Sequence, residues 1–470
     1  MTDSESSRDS RELQSSWEDD PINAHNWSFR KKIYNTAVPA LLCTLISFAL
    51  AIYSPSHDKV RDGLHTTRVL SLLPFTLYVY GLAFGPAIAA PLSKEFGRRF
   101  IYLMVTPVAL LFILGAGLSH NIASLIICRL LAGLAIASPL AVGAGTILDI
   151  WTGINVTRGV ILFMTLAFLG PALGSLIGGW IAEYKDWPWS QWTTLFLGAS
   201  VRIFSLSAQE TYAPVLMRQR ARKQGLEVPP SAIPPGLVGL HHIVTVTLTR
   251  PLVMLVKEPI VLLCSLYSSL NFSVLFSFLT SIPLIYKHEY GFTSGQAGLV
   301  VIGIAGGCAL GGMTLVLLDA HTLKQHVRRS KTDPSPPERM LWGAIVGGLL
   351  MPTALFWFAW TARSGIHWIS ISVLATGLFG FSNILIFVST MLYLTNVYGP
   401  QYGASALAAN GLLRYFIGGS FPLLTTAMYT NLTFPWASSL LGFLAVVFAF
   451  IPVVFYRYGL KMRQHSTYVK

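Results

Sequence analysis

Twelve long apolar runs alternate with short polar loops along the chain. Each run is about 20 residues long, the length that a helix needs to cross the hydrocarbon core of a bilayer. A longer hydrophilic stretch at residues 210–258 separates the first six runs from the last six. The pattern predicts an all-α membrane protein with twelve transmembrane helices, in one six-helix bundle at residues 33–209 and a second at 259–456. The predicted helices 1 to 12 lie near residues 33–53, 70–90, 100–118, 123–150, 160–182, 189–208, 259–286, 297–318, 340–362, 368–393, 404–428 and 437–456.

The ends of the chain are polar. Residues 1–20 are rich in Ser, Asp, Glu and Arg and hold almost nothing apolar, so they cannot bury enough surface to fold. We therefore expect a disordered cytosolic tail at residues 1–32, a cytoplasmic linker at residues 210–258 and a short cytosolic tail at residues 457–470.

Composition supports a protein whose main partner is the lipid bilayer. Of 470 residues, 53% are hydrophobic and only 11% are charged, and the mean hydropathy is +0.58. These values are too apolar for a soluble domain. The net charge of +13 does not indicate nucleic-acid binding, because the cations lie in short loops between apolar segments, where they set topology.

Basic residues concentrate in alternate loops, which sets the expected topology. Cytoplasmic loops of membrane proteins carry an excess of Lys and Arg, so this bias places both termini in the cytosol. The loops assigned to the cytosol hold Lys94, Arg98, Arg99, Arg158, Lys324, Arg328, Arg329, Lys331 and Arg339, whereas the outer loops hold Lys59, Arg61, Arg68, Lys185, Lys287 and Arg363.

No motif for an enzyme, a metal or a cofactor is present in the sequence. There is no phosphate-binding G-x-x-x-x-G-K-[ST] loop, no His pair at metal-binding spacing and no G-x-S-x-G turn. The four cysteines all fall in apolar runs and lack metal-ligand spacing. We expect transport to draw on ion or solute gradients, since no nucleotide site is visible.

Glycines at four-residue spacing form a stripe in predicted helix 5. Gly170, Gly174 and Gly178 fall on one helix face, where the missing side chains let a second backbone approach closely. Predicted helix 8 repeats the spacing, so we expect the two stripes to pack against each other. The second stripe consists of Gly303, Gly307 and Gly311.

The same stretch of helix 5 carries a family resemblance. Residues 169–179 resemble the G-P-x-x-G-x-x-x-G-G signature of proton-coupled antiporters of the major facilitator superfamily, with Gly170, Pro171, Gly174, Gly178 and Gly179 at the matching positions. The resemblance implies two parallel six-helix repeats in which the fifth helix packs against the eighth.

Three further stretches narrow the resemblance to one group. The lead-in at residues 20–32, the E-T-Y-A-P run at residues 210–214 and the helix 11 stretch at residues 402–423 resemble motifs of fungal drug:proton antiporters, including multidrug and polyamine-type transporters. Together with helix 5 they cover nearly the whole chain. The resemblance implies a transporter of small organic compounds that is driven by protons.

The loop between predicted helices 2 and 3 resembles the conformational latch of these transporters. Gly97 is followed by Arg98 and Arg99, and two guanidinium groups after a glycine turn can clamp carboxylates or helix C-termini. Asp149, at the end of predicted helix 4, is the natural acceptor. The alternative is that both arginines only set topology.

One position departs from the pattern of that loop. The family has an acid three residues before the glycine, whereas this chain has Lys94 there, with Glu95 beside it. A neighbouring helix position points about 100° away, so it is open whether Glu95 replaces the missing acid.

Arg129 in predicted helix 4 matches an R-x-x-x-G motif whose Arg the family uses in proton coupling. An Arg in an apolar helix is costly and usually faces a cavity or a partner, so we expect Arg129 and Asp149 to take part in charge coupling. The alternative is an Arg that snorkels to the outer end of the helix. Predicted helices 1, 5, 7, 8, 10 and 11 contain no Asp or Glu, so no protonatable carboxylate is evident.

A substrate cavity is expected between helices 1, 4, 7 and 10, from the family architecture and from broken helices. Polar and aromatic pairs at four-residue spacing are the candidates to line it, because each pair shares one helix face. Packing between helices is the alternative for each of them. The candidates are Tyr267 and Asn271 in helix 7, Asn383 and Phe387 in helix 10, and Asn410 and Arg414 in helix 11.

These features predict an efflux pump that exports a drug, toxin or secondary metabolite by alternating access and proton antiport. We expect it to act as a monomer in the plasma membrane. A polyamine transporter is one alternative, but polyamines need carboxylates along the path, which favours neutral or amphiphilic cargo. A degenerate relative without transport is the other, because Lys94, Arg202 in helix 6 and the missing Pro before Glu210 break the pattern.

Overall fold

The computed structural model describes residues 20–224, 249–329, 336–362 and 374–468, together with Trp17, Thr245, His367 and Ile369. All regular structure within these residues is helical. The N-terminal residues 1–16, most of the linker at residues 225–248 and most of residues 363–373, where predicted helix 10 was expected to begin, lie outside the described residues.

Six long helices form the first half of the molecule. A break at Ala137 divides α4 into two segments. Pro139 follows the break and has no backbone N–H to donate to the preceding turn. Gly97 joins α2 to α3 with a φ of 95°, a left-handed conformation that favours glycine. The helices are α1 (Phe29–Ala51), α2 (Arg68–Phe96), α3 (Arg98–Gly117), α4 (Ile122–Ile136 and Ser138–Ile150), α5 (Ile154–Tyr184) and α6 (Pro188–Ser205).

The second half repeats this arrangement. A capping box of Thr293 and Gln296 starts α8. Gly399, with φ 58° and ψ −167°, breaks an otherwise continuous helical stretch into two helices. The helices are α7 (Pro259–Tyr290), α8 (Ser294–Val300 and Ile302–Arg329), α9 (Leu341–Thr361), α10 (Thr376–Gly399), α11 (residues 401–431) and α12 (Phe434–Phe448 and Phe450–Gln464).

The twelve helices confirm the predicted fold class. Ten of the described helical segments are long and apolar enough to cross a membrane, and α6 and α11 complete the count. The start of α6 is polar, with Ser190, Gln191, Thr193 and Thr194, which lowers its mean hydropathy and accounts for its absence from the ten. The predicted bounds are close, although α1 begins at Phe29 instead of residue 33, so the basic residues 30–32 belong to the helix.

The segments around the two halves contain more structure than the sequence indicated. Residues 24–26 of the expected disordered tail form a helical turn, and Asp20 forms an ion pair with Arg220. Arg220 belongs to a linker helix at Ala213–Gln224, and a second linker helix occupies Arg250–Lys257. The lead-in before α1 is therefore folded against the linker.

The two halves meet mainly in the middle and at one end of the bundle. We call the end where α1 begins and α12 finishes the near end, and the opposite end the far end. At the far end, Ser54 Oγ donates to the carbonyl oxygen of Leu279 at 2.8 Å, and the carboxylate of Glu183 accepts from the backbone N–H of Gly295 at 3.1 Å. In the middle, the hydroxyls of Tyr80 in α2 and Ser420 in α11 are 2.7 Å apart. These contacts close the far end between the halves.

Candidate functional site

Arg129 is completely buried in the first half. Its Nη1 atom donates to the carbonyl oxygen of Ala49 in α1 at 2.9 Å. Its guanidinium carbon lies 4.3 Å from the ring centroid of Tyr78 and 5.1 Å from that of Tyr53. The Nε and Nη2 atoms have no hydrogen-bond acceptor among the described residues. The side chain therefore points into the bundle instead of snorkelling to its end.

Arg414 is the corresponding buried cation of the second half, with 7% of its surface exposed. Its guanidinium carbon lies 4.5 Å from the ring centroids of both Phe272 and Tyr415 and 4.8 Å from that of Phe387. Phe387, a predicted cavity residue, thus forms one wall of an aromatic cage around Arg414. Four helices contribute to the cage, because Phe168 of α5 packs edge-on against Phe387 with ring centroids 5.1 Å apart.

The other predicted cavity residues bond to neighbouring helices. Asn383 Nδ2 donates to Asn271 Oδ1 at 2.9 Å, which joins α10 to α7. Asn410 Nδ2 lies 3.2 Å from Ser268 Oγ, and Tyr267 donates to the carbonyl oxygen of Ala344 in α9 at 3.3 Å. All of these predicted residues are buried in this conformation. Their amide and phenol groups join the helices of the second half in this conformation.

Carboxylates are missing from the middle of the described bundle. The acids nearest to it all lie at or beside the ends of membrane-spanning helices, namely Asp149, Glu183, Glu258 and Asp319. The expectation that the central path lacks acids therefore agrees with the tertiary structure. The middle of the bundle carries two guanidinium groups without a counter-charge among the described residues.

A cluster of charged residues occupies the near end of the first half. Arg98 Nε donates to Asp149 Oδ2 at 3.1 Å, so the structure joins the two residues that the sequence paired. Arg98 also stacks on the ring of Tyr212, with 4.7 Å between its guanidinium carbon and the ring centroid. Thr211 Oγ1 lies 3.4 Å from the same Asp149 oxygen. We call Arg98, Asp149, Glu210 and Tyr212 the near-end cluster.

Glu210 completes this cluster, although the sequence analysis assigned it no role beyond its place in the E-T-Y-A-P run. Its Oε1 atom accepts backbone N–H groups from Arg98 at 2.9 Å and from Tyr212 at 2.9 Å, and its Oε2 atom accepts that of Arg99 at 3.1 Å. The carboxylate thus caps the N-terminus of α3, where the helix dipole favours negative charge. A side chain at Gly97 would collide with this carboxylate. Two motifs that lie 110 residues apart therefore form one site.

Lys94 and Glu95 have different surroundings. Glu95 forms an ion pair with Arg218 of the first linker helix at 3.0 Å, and Arg218 also donates to the carbonyl oxygen of Lys94 at 3.1 Å. The side chain of Lys94 is exposed and has no ion pair among the described residues. Glu95 thus fastens the linker to the end of α2.

The glycine stripe of α5 does not pack where the sequence predicted. A methyl group on Gly170 would lie 2.5 Å from the carbonyl oxygen of Thr44, one on Gly174 2.6 Å from that of Phe48, and one on Gly178 2.5 Å from that of Ile52. All three partners belong to α1 or its C-terminal cap, so the predicted pairing with the stripe of α8 is wrong. The stripe of α8 faces α10 instead, since Gly307 lies against Gly377 and Gly311 against Leu385.

The expected contact between α5 and α8 exists, but it uses another face of α5. Gly179 lies against the carbonyl oxygen of Ser294, and a methyl group on Gly298 would be 2.9 Å from the carbonyl oxygen of Ser175. Spacing alone favoured the wrong face, because the face that meets α8 carries Ser175 and Gly179 but no stripe of its own. Pro171 is buried between the stripe residues within α5.

The near end of the second half carries ion pairs that the sequence analysis missed. Glu258, directly before α7, accepts from the hydroxyl of Tyr398 at 2.9 Å and from the backbone N–H of Thr467 at 3.1 Å. Arg463 of α12 donates to Glu338 at 2.6 Å. The C-terminal segment is thereby fastened to the start of α7. The sequence did contain a signal for this contact, because Glu258 is an acid directly before the proline that starts α7.

The comparisons with known proteins decide the family. The sequence profile of the Major Facilitator Superfamily matches residues 39–422. The chain belongs to the Major Facilitator Superfamily. It is 37% identical to polyamine transporter 4 of Saccharomyces cerevisiae, over 98% of this chain and 73% of that protein. It is 35% identical to the MFS-type efflux pump MFS2 of Trichophyton rubrum, over 96% of this chain and 76% of that protein.

Solved structures agree on the fold of this superfamily member. The proton:xylose symporter XylE superposes with a TM-score of 0.65 at 14% identity, over 92% of this chain and 96% of that chain. At this identity the likeness concerns the fold alone. The superfamily profile and the transporters among its relatives make this chain a multi-pass membrane transporter and not an enzyme.

Proposed function

We propose that this superfamily transporter exports a small organic compound by alternating access, with protons moving in the opposite direction. The observation that carries the proposal is the placement of Arg129 and Arg414, two buried cations in the middle of two halves that meet at the far end. An Arg within a membrane-spanning helix marks a substrate or ion path by default. The efflux pump among the relatives supports the direction of transport.

Polyamine transport is the second candidate, because polyamine transporter 4 is a relative over nearly the whole chain. The charges in the middle of the described bundle oppose it. A polyamine carries several positive charges, and a path with two guanidinium groups and no central carboxylate would repel it. We therefore favour an export function for a cargo that is not a polycation.

The cargo is best identified by comparing the culture medium of cells with and without this protein. We expect one or a few small organic compounds to be depleted from the medium when the protein is absent. Purified protein in liposomes should then move that compound only when a pH gradient is imposed. Transport that is equal with and without the gradient would rule out proton coupling, and a medium with unchanged composition would rule out export.

We further propose that the protein is a monomer in the plasma membrane with both termini in the cytosol. The basic loops of residues 94–99 and 218–223 lie at the near end, which supports a cytosolic near end by the positive-inside rule. A cysteine introduced at Asp186, an exposed far-end position, should react with an impermeant reagent on intact cells. One introduced at Gln464 should not.

The near-end cluster is proposed to be the conformational latch. In Glu210→Gln, one acceptor oxygen becomes an NH₂ donor that opposes the backbone N–H groups of α3. Hydrogen bonds to a charged group contribute about 1.5–3 kcal/mol, so we expect a lower melting temperature in detergent and slower transport. Asp186→Asn, an exposed acid at the far end, is the matched control. Equal melting temperatures and rates for the two variants would refute a role for Glu210.

Lys94 is proposed to weaken this latch. The resemblance to the family's latch implies an acid here that faces the positive N-terminal end of helix 11, so a Lys replaces attraction with repulsion and shifts the conformational balance by roughly 1–2 kcal/mol. Lys94→Glu should therefore slow the labelling of a cysteine at Ala404, an exposed position at the start of α11. Lys94→Gln should have about half the effect. Identical labelling rates in all three proteins would mean that residue 94 does not act on the latch.

A further inference from the structure

The guanidinium group of Arg414 makes a side-chain hydrogen bond with Tyr415, but two of its donor atoms lack acceptors. Two nitrogen atoms of its guanidinium group, Nε and Nη1, are buried and have no hydrogen-bond partner among the described residues. Leaving a buried charged donor unpaired costs free energy, so such a group is rarely kept without a use. A ligand with acceptor atoms would satisfy these donors.

The charge of the surroundings selects the kind of ligand. Arg414 has no carboxylate beside it, and the other buried cation, Arg129, has unpaired nitrogen atoms as well. Each of the two lies against aromatic faces, which attract cations without neutralising them. The low dielectric of the bundle strengthens the attraction of these charges for an anion. A neutral or cationic ligand gains no such energy.

The walls of the cage select the shape of the ligand. Phe272, Phe387 and Tyr415 lie within 4.8 Å of the guanidinium carbon of Arg414. Ring centroids of Phe168 and Phe272 are 5.7 Å apart, so the cage also includes an aromatic ring of the first half. Aromatic pairs at such distances prefer edge-on or offset arrangements, which a ligand ring can join.

Because Phe168 belongs to α5 and the other rings belong to the second half, relative movement of the halves would open the cage. Phe168 moves with the first half, whereas Phe272 and Phe387 stay with Arg414. A site whose wall is divided between two moving bodies is exposed and covered in turn during alternating access.

We propose that Arg414 binds the carboxylate of an aromatic organic anion, whose ring packs on Phe272 and Phe387 once movement of the halves has withdrawn Phe168. The inference rests on the proposed export function and names the class of its cargo. It replaces the neutral or amphiphilic cargo that the sequence favoured, because the unpaired donors and the cage became visible only in the tertiary structure.

The test is a binding measurement with three probes that share a naphthalene ring and carry an anionic, a neutral or a cationic head group: naphthalene-2-carboxylate, naphthalene-2-carboxamide and 2-naphthylmethylammonium. The full-length protein in detergent is examined by equilibrium dialysis. We expect the carboxylate to bind roughly 10-fold to 100-fold more tightly than the amide, as charge-assisted hydrogen bonds would give, and the ammonium to bind most weakly. The measurement does not depend on transport, so its failure is distinct from failure of the export assay.

Variants assign the preference to Arg414. Arg414→Gln should abolish the preference for the carboxylate, and Arg414→Lys, which keeps the charge, should retain part of it. Phe387→Leu should weaken the carboxylate and the amide equally, since it removes packing and not charge. Arg202→Gln, in α6 and outside the cage, is the matched control and should bind like the unaltered protein. Melting temperatures confirm that each variant is folded.

Several outcomes would overturn the inference. Equal binding of carboxylate and amide, tightest binding of the ammonium probe, or a preference that survives in Arg414→Gln would each do so. A preference that is lost in Arg129→Gln but kept in Arg414→Gln would place the anion site in the first half, at Arg129, and not at Arg414.

Discussion

Gly174→Leu is expected to abolish transport, because Gly174 lies where α5 and α1 are in backbone contact. Even the first side-chain carbon would be 2.6 Å from the carbonyl oxygen of Phe48 and 3.0 Å from the side chain of Ala51. Backbone atoms cannot move aside as a flexible side chain can. Overpacking typically costs about 1–3 kcal/mol, and the two helices would have to separate to relieve it. The melting temperature and the rate of export are the measurements.

Gly306→Leu provides the control for this prediction. Gly306 is an exposed glycine of α8 with no heavy atom within 4 Å of an added side-chain carbon, so the same substitution should be tolerated there. If the Gly174→Leu protein has the same expression level, melting temperature and transport rate as Gly306→Leu, the contact between Gly174 and α1 is contradicted.

Arg129→Met is expected to eliminate pH-driven transport without reducing stability. The side chain is fully buried, and two of its three nitrogen atoms have no acceptor among the described residues. Replacing a poorly satisfied buried charge by an apolar side chain of similar length is often neutral or stabilising. The free energy of unfolding should thus be unchanged or higher. Residues kept at a cost to stability are typical of functional sites.

Two measurements distinguish this functional role from a structural one. The melting temperature in detergent and the pH profile of export from liposomes are recorded for Arg129→Met and for Arg202→Gln in α6. A structural Arg129 would give a lower melting temperature and an unaltered pH profile. Arg202→Gln should keep both the temperature and the profile.

The near-end cluster and the glycine stripe illustrate how far the sequence could lead to the site. The pairing of Arg98 with Asp149 followed from charge and from the ends of predicted helices, and the structure brings the two residues together at 3.1 Å. Glu210 could not be placed, because nothing in the amino-acid sequence indicates that residue 210 contacts the start of α3. The stripe was identified, but its partner helix was not, since four-residue spacing marks a close contact and not the identity of the neighbour.

The predicted cavity residues fall into two groups, those that bond to neighbouring helices and those that meet in the aromatic cage, and the sequence could not separate the two groups. Tyr267, Asn271, Asn383 and Asn410 share faces of their helices as predicted, yet these faces meet other helices and satisfy polar groups there. Phe387 and Arg414 come together with Phe272, which no spacing rule had selected. Which face of a buried helix meets a neighbour depends on the rotation of each helix, and amphipathicity is too weak in an apolar bundle to fix it.

By itself the sequence determined that this protein is a twelve-helix membrane transporter in two six-helix halves. Helix length, apolar composition and the location of cations follow from the bilayer as solvent, and these act on each segment locally. Only the tertiary structure decided that the stripe of α5 meets α1, that Glu210 caps α3 and that aromatic rings surround Arg414 without an acid. The contacts of Gly174 with Phe48, of Glu210 with Arg98 and of Arg414 with Phe272 join residues that lie more than a hundred positions apart, so they depend on how the helices pack and not on any local pattern.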